Sequence, residues 1–161
     1  MMTAAVVTLS FLGVACGSSS SGSSGTTATT VAPGGGGGVT IPGATGTQVH
    51  VEATDQDQTH QSFKFDTTSV AAGKVTFTLK NSGNRQHELI VLKTDTPFDA
   101  LTVNPADNKV SEDSSVGEIS ETDAGKTGTV TLDLKPGKYV LVCNIEKHYA
   151  QGMKSAFTVT G

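Results

Sequence analysis

Residues 139–159 read YVLVCNIEKHYAQGMKSAFTV, which sets Cys143, His148 and Met153 at equal intervals of five between two apolar alternating runs. In YVLVC a period of two places Tyr139, Leu141 and Cys143 on one face, the inward one, and Val140 and Val142 on the other. Cys143 then closes a strand with its side chain pointing inward. A helix cannot unite the three residues, because five steps of about 100° leave successive members about 140° apart. The segment therefore reads as strand, loop and strand, and Gly152 lets the backbone bend sharply just before Met153.

Working outward, the same alternation recurs. TQVHVEAT (47–54) alternates Val49, Val51 and Ala53, HQSFKF (60–65) Phe63 and Phe65, KVTFTLKN (74–81) Val75, Phe77 and Leu79, and TVTLDL (129–134) Val130, Leu132 and Leu134. HELIVLKT (87–94) and YVLVC are denser and suit central strands. Turn residues separate the runs at AAGK (71–74), NSGN (81–84), DAGK (123–126) and KPGK (135–138), where Pro136 and Gly137 suit the centre of a type II turn. Helical periodicity is missing, apart from a short turn near TPFDALTV (96–103). The expectation is an all-β, Greek-key β-sandwich of seven or eight mostly antiparallel strands spanning residues 47–161.

Ahead of this domain, residues 17–46 are nearly all Gly, Ser, Thr, Ala and Pro, too poor in large apolar side chains to offset ordering entropy. They read as a flexible tether with a mean reach of about 30 Å and a stretched limit of about 100 Å. Residues 1–16 carry an apolar core from Ala4 to Ala15, about half the length of a membrane-spanning helix, and read as a secretory signal peptide. Its ending LGVAC resembles the bacterial lipobox, which implies lipidation at Cys16 and a lipid anchor on the outer face of the cell membrane. The plainer reading is a signal peptide with an incidental Cys16, giving a secreted or periplasmic protein.

A net charge of −4 and the lack of any Lys/Arg cluster argue against a nucleic-acid partner. The mildly acidic surface fits a partner with a basic patch, or simply a solvated face. With Cys16 given to lipid, the chain's other cysteine, Cys143, stands alone in the folded domain. Such a thiol in an oxidising compartment is buried and inert, exposed and reactive, or bound to metal.

The neighbours favour metal. A thiolate, an imidazole and a thioether converging at one loop form a soft site, which selects copper. A second imidazole would complete it, and the candidates are His50, His60 and His87. His50 and His60 lie among polar residues, whereas His87 opens an apolar strand directly after the turn-rich NSGNRQ, so His87 is the choice. Taken singly, Cys143 would be a core residue, Met153 a gap filler and each histidine a satisfied surface group. Nucleophilic catalysis by Cys143 with His148 lacks an orienting acid and an oxyanion device, so no enzyme is expected.

The pieces KNSGNRQHELIVLKT (80–94) and LKPGKYVLVCNIEKHYAQGMKSAFTV (134–159) resemble the two ligand-bearing segments of the cupredoxin, or blue copper, family, which includes plastocyanin, azurin and rusticyanin. The loop spacing is most similar to rusticyanin and sulfocyanin-like members, and Glu146-Lys147 stands where many relatives have Pro-Gly. The resemblance implies one type 1 copper. His87, His148 and Cys143 would form a trigonal plane, and Met153 would be the weak axial ligand. It further implies backbone donors near Asn144 aimed at the sulfur and a partner for the other nitrogen of His87. A separate hypothesis is that Glu88 and Asn144 link the two loops. The expected function is a monomeric one-electron carrier between redox proteins. The alternative is a module that captures or delivers copper without electron transfer.

Overall fold

Apolar alternation sets the strands, of which the described residues, 46–161 of a computed structural model, contain eleven. They are β1 (Thr47–Asp55), β2 (Gln61–Phe65), β3 (Ser69–Ala71), β4 (Gly73–Asn81), β5 (His87–Lys93), β6 (Val103–Asn104), β7 (Lys109–Val110), β8 (Ser115–Thr122), β9 (Thr127–Leu134), β10 (Gly137–Val142) and β11 (Lys154–Thr160). One sheet has the order β2-β1-β4-β9 and the other β3-β11-β10-β5-β8, with β6 and β7 forming a small hairpin. The expected signal peptide with Cys16, and the expected tether up to residue 45, lie outside the described residues.

Between the sheets lies a core of Val49, Val51, Val75, Phe77, Leu79, Leu89, Val91, Leu141 and Phe157, all at most 2% exposed. Phe77 and Phe157 meet edge to face across the sandwich, their ring centroids 5.4 Å apart. Tyr139, Leu141 and Cys143 join this core, as their shared face requires. Val140 and Val142, on the opposite face, are also buried, with Ile90, Leu92, Val110 and Tyr149. The covering comes from the chain between β5 and β8, which returns over the outer face of the second sheet and contributes Val110, with Leu101 and Val103 packed alongside.

Several details depart from the sequence reading. The extra strands β3, β6 and β7 are only two or three residues long. β8 escapes the apolar pattern because only Ile119 and Thr122 of its eight residues are buried. Two pairings are parallel, β1 with β4 and β3 with β11. At KPGK, Gly137 has φ 152 and already begins β10. There the Lys135 carbonyl accepts a hydrogen bond from the Tyr139 hydroxyl at 2.7 Å, so a side chain anchors the corner.

Candidate metal centre

His87 is the first residue of β5, and the turn before it is built to present it. The fully buried Asn81 holds that turn: its Oδ1 accepts from Gly83 N at 2.9 Å, and its Nδ2 donates to the carbonyls of Arg85 at 2.6 Å and Thr122 at 2.8 Å. Asp55, the last residue of β1 in the opposite sheet, accepts from Asn84 N at 2.7 Å, Arg85 N at 3.2 Å and His87 Nε2 at 3.1 Å. Glycine at 83 makes this approach possible. A Cβ there would overlap Asp55 Oδ2 and lie 3.1 Å from His87 Nε2. With Nε2 donating to Asp55, Nδ1 of His87 is the lone-pair nitrogen, and it is buried with no hydrogen-bond partner.

The other side chains come from the loop between β10 and β11. Cys143 N donates to the Met153 carbonyl at 3.1 Å, and Met153 N donates to the His148 carbonyl at 3.0 Å, so the backbone joins all three members of the fivefold spacing. Between them, His148 N donates to Ile145 O at 2.9 Å and Gln151 N to Lys147 O at 2.9 Å, turning the loop tightly. Gly152, at φ 118, ends the turn with its backbone against Gln61, where a Cβ would stand 2.6 Å from the Gln61 carbonyl oxygen. Lys147 adopts φ 71 without being glycine.

The three groups converge. One ring nitrogen each of His87 and His148 and the Cys143 sulfur lie within 4.8 Å of one another. His148 Nδ1 is 3.3 Å from Cys143 Sγ, and the two imidazole centroids are 5.1 Å apart. Met153 is fully buried in the same cluster as Cys143. His60 is instead exposed and bonded to Asp57, and His50 occupies an outward position of β1.

Burial dominates the electrostatics. It pushes the Cys143 thiol up to about 12, against the amide donors of Glu88 and Ile145, which favour the thiolate. It lowers His148 to about 4, with repulsion from His87 adding to it. His87 is lowered by burial too, although the Asp55 charge opposes the shift. Burial raises Asp55, but the Asn84 amide, the His87 charge and the Arg85 amide outweigh it and leave the carboxyl below its ordinary value. Glu88 is raised by burial. At neutral pH both imidazoles are therefore unprotonated lone-pair donors beside a protonated thiol.

The outer contacts follow the expectation. The Ile145 amide, next to Asn144, donates to the Cys143 sulfur, and Glu88 N is a second backbone donor at 3.4 Å from Sγ. Asn144 N donates to Glu88 Oε1 at 2.9 Å, which ties the two ligand-bearing segments together. Sequence reasoning missed Asp55. Its signal was a carboxylate at position 55, in phase with the inward positions 49, 51 and 53 of β1.

These residues fit a copper ion. An unpartnered buried imidazole nitrogen, a second neutral imidazole and a cysteine sulfur form a soft donor set, shielded from water. Comparison with known proteins gives the same answer. Residues 49–160 match the family model of copper binding proteins, plastocyanin/azurin family. Reduced auracyanin from the photosynthetic bacterium Roseiflexus castenholzii superposes with a TM-score of 0.51 at 24% identity, covering 72% of this chain and all of that one. For auracyanin B the values are 0.51 and 25%, with 73% and 91% covered. For rusticyanin from Thiobacillus ferrooxidans they are 0.53 and 21%, with 72% and 79% covered. A comparison with curated proteins returned no match. The chain belongs to the plastocyanin/azurin family of copper-binding proteins.

Proposed function

We propose that the domain is a one-electron carrier whose type 1 copper is held by His87 Nδ1, His148 Nδ1 and Cys143 Sγ, with Met153 as the weak fourth donor. The observation that carries this reading is His87 itself, whose Nε2 is bound to Asp55 while its buried Nδ1 has no partner. Bound copper supplies a one-electron couple between Cu(I) and Cu(II). The protein's part is to hold the donors still and dry. Asp55 fixes the tautomer of His87, Glu88 N steadies the sulfur, and the backbone bonds among Cys143, His148 and Met153 leave the loop little room to rearrange. To become a ligand, Cys143 gives up its thiol proton, since burial keeps that proton in place without metal.

Copper delivery is the competing role. It calls for exposed, exchangeable ligands, whereas His87, Cys143 and Met153 are fully buried and His148 is 5% exposed. We place the carrier outside the cytoplasm, anchored through lipid at Cys16 and swinging as a monomer on the 17–46 tether between redox proteins. The sequence of residues 1–46 supports that placement, and the intact mass of the mature protein tests it.

Visible absorption on adding Cu(II) tests the site. Intense blue colour that Cys143→Ser abolishes is expected, and a protein that stays colourless refutes the assignment. Electron self-exchange then separates the two roles, because a domain that loses its metal on reduction is a deliverer rather than a carrier.

A further inference from the structure

Resting on the copper reading, we propose that the chain between β5 and β8, residues 94–114, is a strap that holds the ligand loop in its metal-binding shape before copper arrives, and that Asn144 is the positioning residue through which it acts. Asn144 directly follows Cys143 and is 1% exposed. Its carboxamide pairs with Val110 as a neighbouring strand would: Oδ1 accepts from Val110 N at 2.8 Å and Nδ2 donates to Val110 O at 2.9 Å. Nδ2 also donates to Glu112 Oε1 at 2.7 Å. Together with the backbone N–H given to Glu88, this engages every donor on Asn144 with the strap or with β5. A buried amide so fully satisfied specifies one position and is costly to displace.

The strap grips the loop at two further points. Lys147 N donates to Asn108 O at 3.2 Å. The Tyr149 hydroxyl accepts from Leu101 N at 3.1 Å and donates to Phe98 O at 2.8 Å. The loop residues that the strap grips sit beside the copper donors, since Asn144 follows Cys143 and Lys147 and Tyr149 flank His148. Strain marks the contact independently: Asn108 (φ 57) and Lys147 (φ 71), the two non-glycine residues with positive φ among those described, are hydrogen-bonded to each other. Such backbones persist only where the surroundings over-determine them. The strap can supply that constraint because Leu101, Val103 and Val110 are packed on the outer face of the second sheet.

The test uses Asn144→Ala and, as a milder change that keeps the ring packed, Tyr149→Phe in the otherwise intact chain. Amide hydrogen exchange is measured on the metal-free protein, and visible and paramagnetic resonance spectra after adding Cu(II). Exchange at residues 145–152 should rise about tenfold or more in Asn144→Ala, and less in Tyr149→Phe, while β1 and β4 keep their protection. Copper affinity should fall by about 10–100-fold, and the copper hyperfine splitting should widen as the donors lose their fixed geometry. Should Asn144→Ala fail to fold, Tyr149→Phe decides alone by the same loop-confined exchange. Wild-type exchange and spectra in both variants would overturn the proposal. A wild-type protein that never turns blue removes the copper reading instead, and the metal-free exchange still judges the strap.

Discussion

Replacing Asp55 separates its structural role from its role at the metal. Asp55→Ala removes the acceptor of three hydrogen bonds at once, from His87 Nε2 at 3.1 Å, Asn84 N at 2.7 Å and Arg85 N at 3.2 Å. At about 1 kcal/mol for each bond, and somewhat more for the buried Nε2–H left without a partner, the loss is about 3–4 kcal/mol. For a domain of this size that lowers Tm by roughly 12–16 °C. Asp55→Asn is subtler. Oδ2 of Asp55 serves the two amides of the turn and Oδ1 serves the imidazole, so an amide that keeps its oxygen on the turn presents NH2 to His87. His87 must then accept at Nε2 and carry its proton on Nδ1, the atom assigned to copper. Stability should fall by only about 1 kcal/mol, while copper affinity should fall by about 10–100-fold. Thermal melts of the metal-free variants and competition against a chelator measure the two effects. Wild-type affinity in Asp55→Asn would show that Asp55 does not set the imidazole's tautomer, and an unchanged Tm in Asp55→Ala would refute the bond count.

The metal-free domain should lose stability as pH falls from about 6.5 to about 4. His148 is neutral in the fold down to about 4 but takes a proton at 6.5 when unfolded, so the unfolded chain binds more protons in that window. The effect is about 3 kcal/mol from His148, with His87 acting in the same direction, and melts of His148→Gln across this range should lose most of the slope. Copper binding near pH 7 should release about one proton, from Cys143, because both histidines are already neutral. Calorimetry in buffers of differing ionisation enthalpy counts it, and zero or two protons would contradict these protonation states. Lys147→Gly should be more stable than Lys147→Ala by about 1 kcal/mol, since only glycine relieves the left-handed backbone. Equal Tm values for the two variants would count against strain at that position.

The sheet-forming runs and the convergence of Cys143, His148 and His87 were legible because period two and donor chemistry are local signals. β8 was not, since an edge strand that buries Ile119 and Thr122 while exposing Glu118 and Ser120 has too little apolar contrast to show. The grip of Asn144 on Val110 was hidden for another reason. It joins residues 34 positions apart through an amide whose type, taken alone, signals a turn. Asp55 was hidden because a lone carboxylate at a strand end ordinarily faces water, and its meaning depends on which imidazole the other sheet brings opposite.

That last contact crosses the interior: Asp55 ends a strand of one sheet, His87 opens a strand of the other, and the metal donors are pinned to the second. A metal held by these donors would clamp the ends of β5, β10 and β11 within one sheet and reach the other through Asp55, and copper at a hundred times its dissociation constant should add about 2.7 kcal/mol to global stability. Heating the loaded protein should bleach it in step with the parting of the two layers, so its colour serves as a gauge of the whole sandwich.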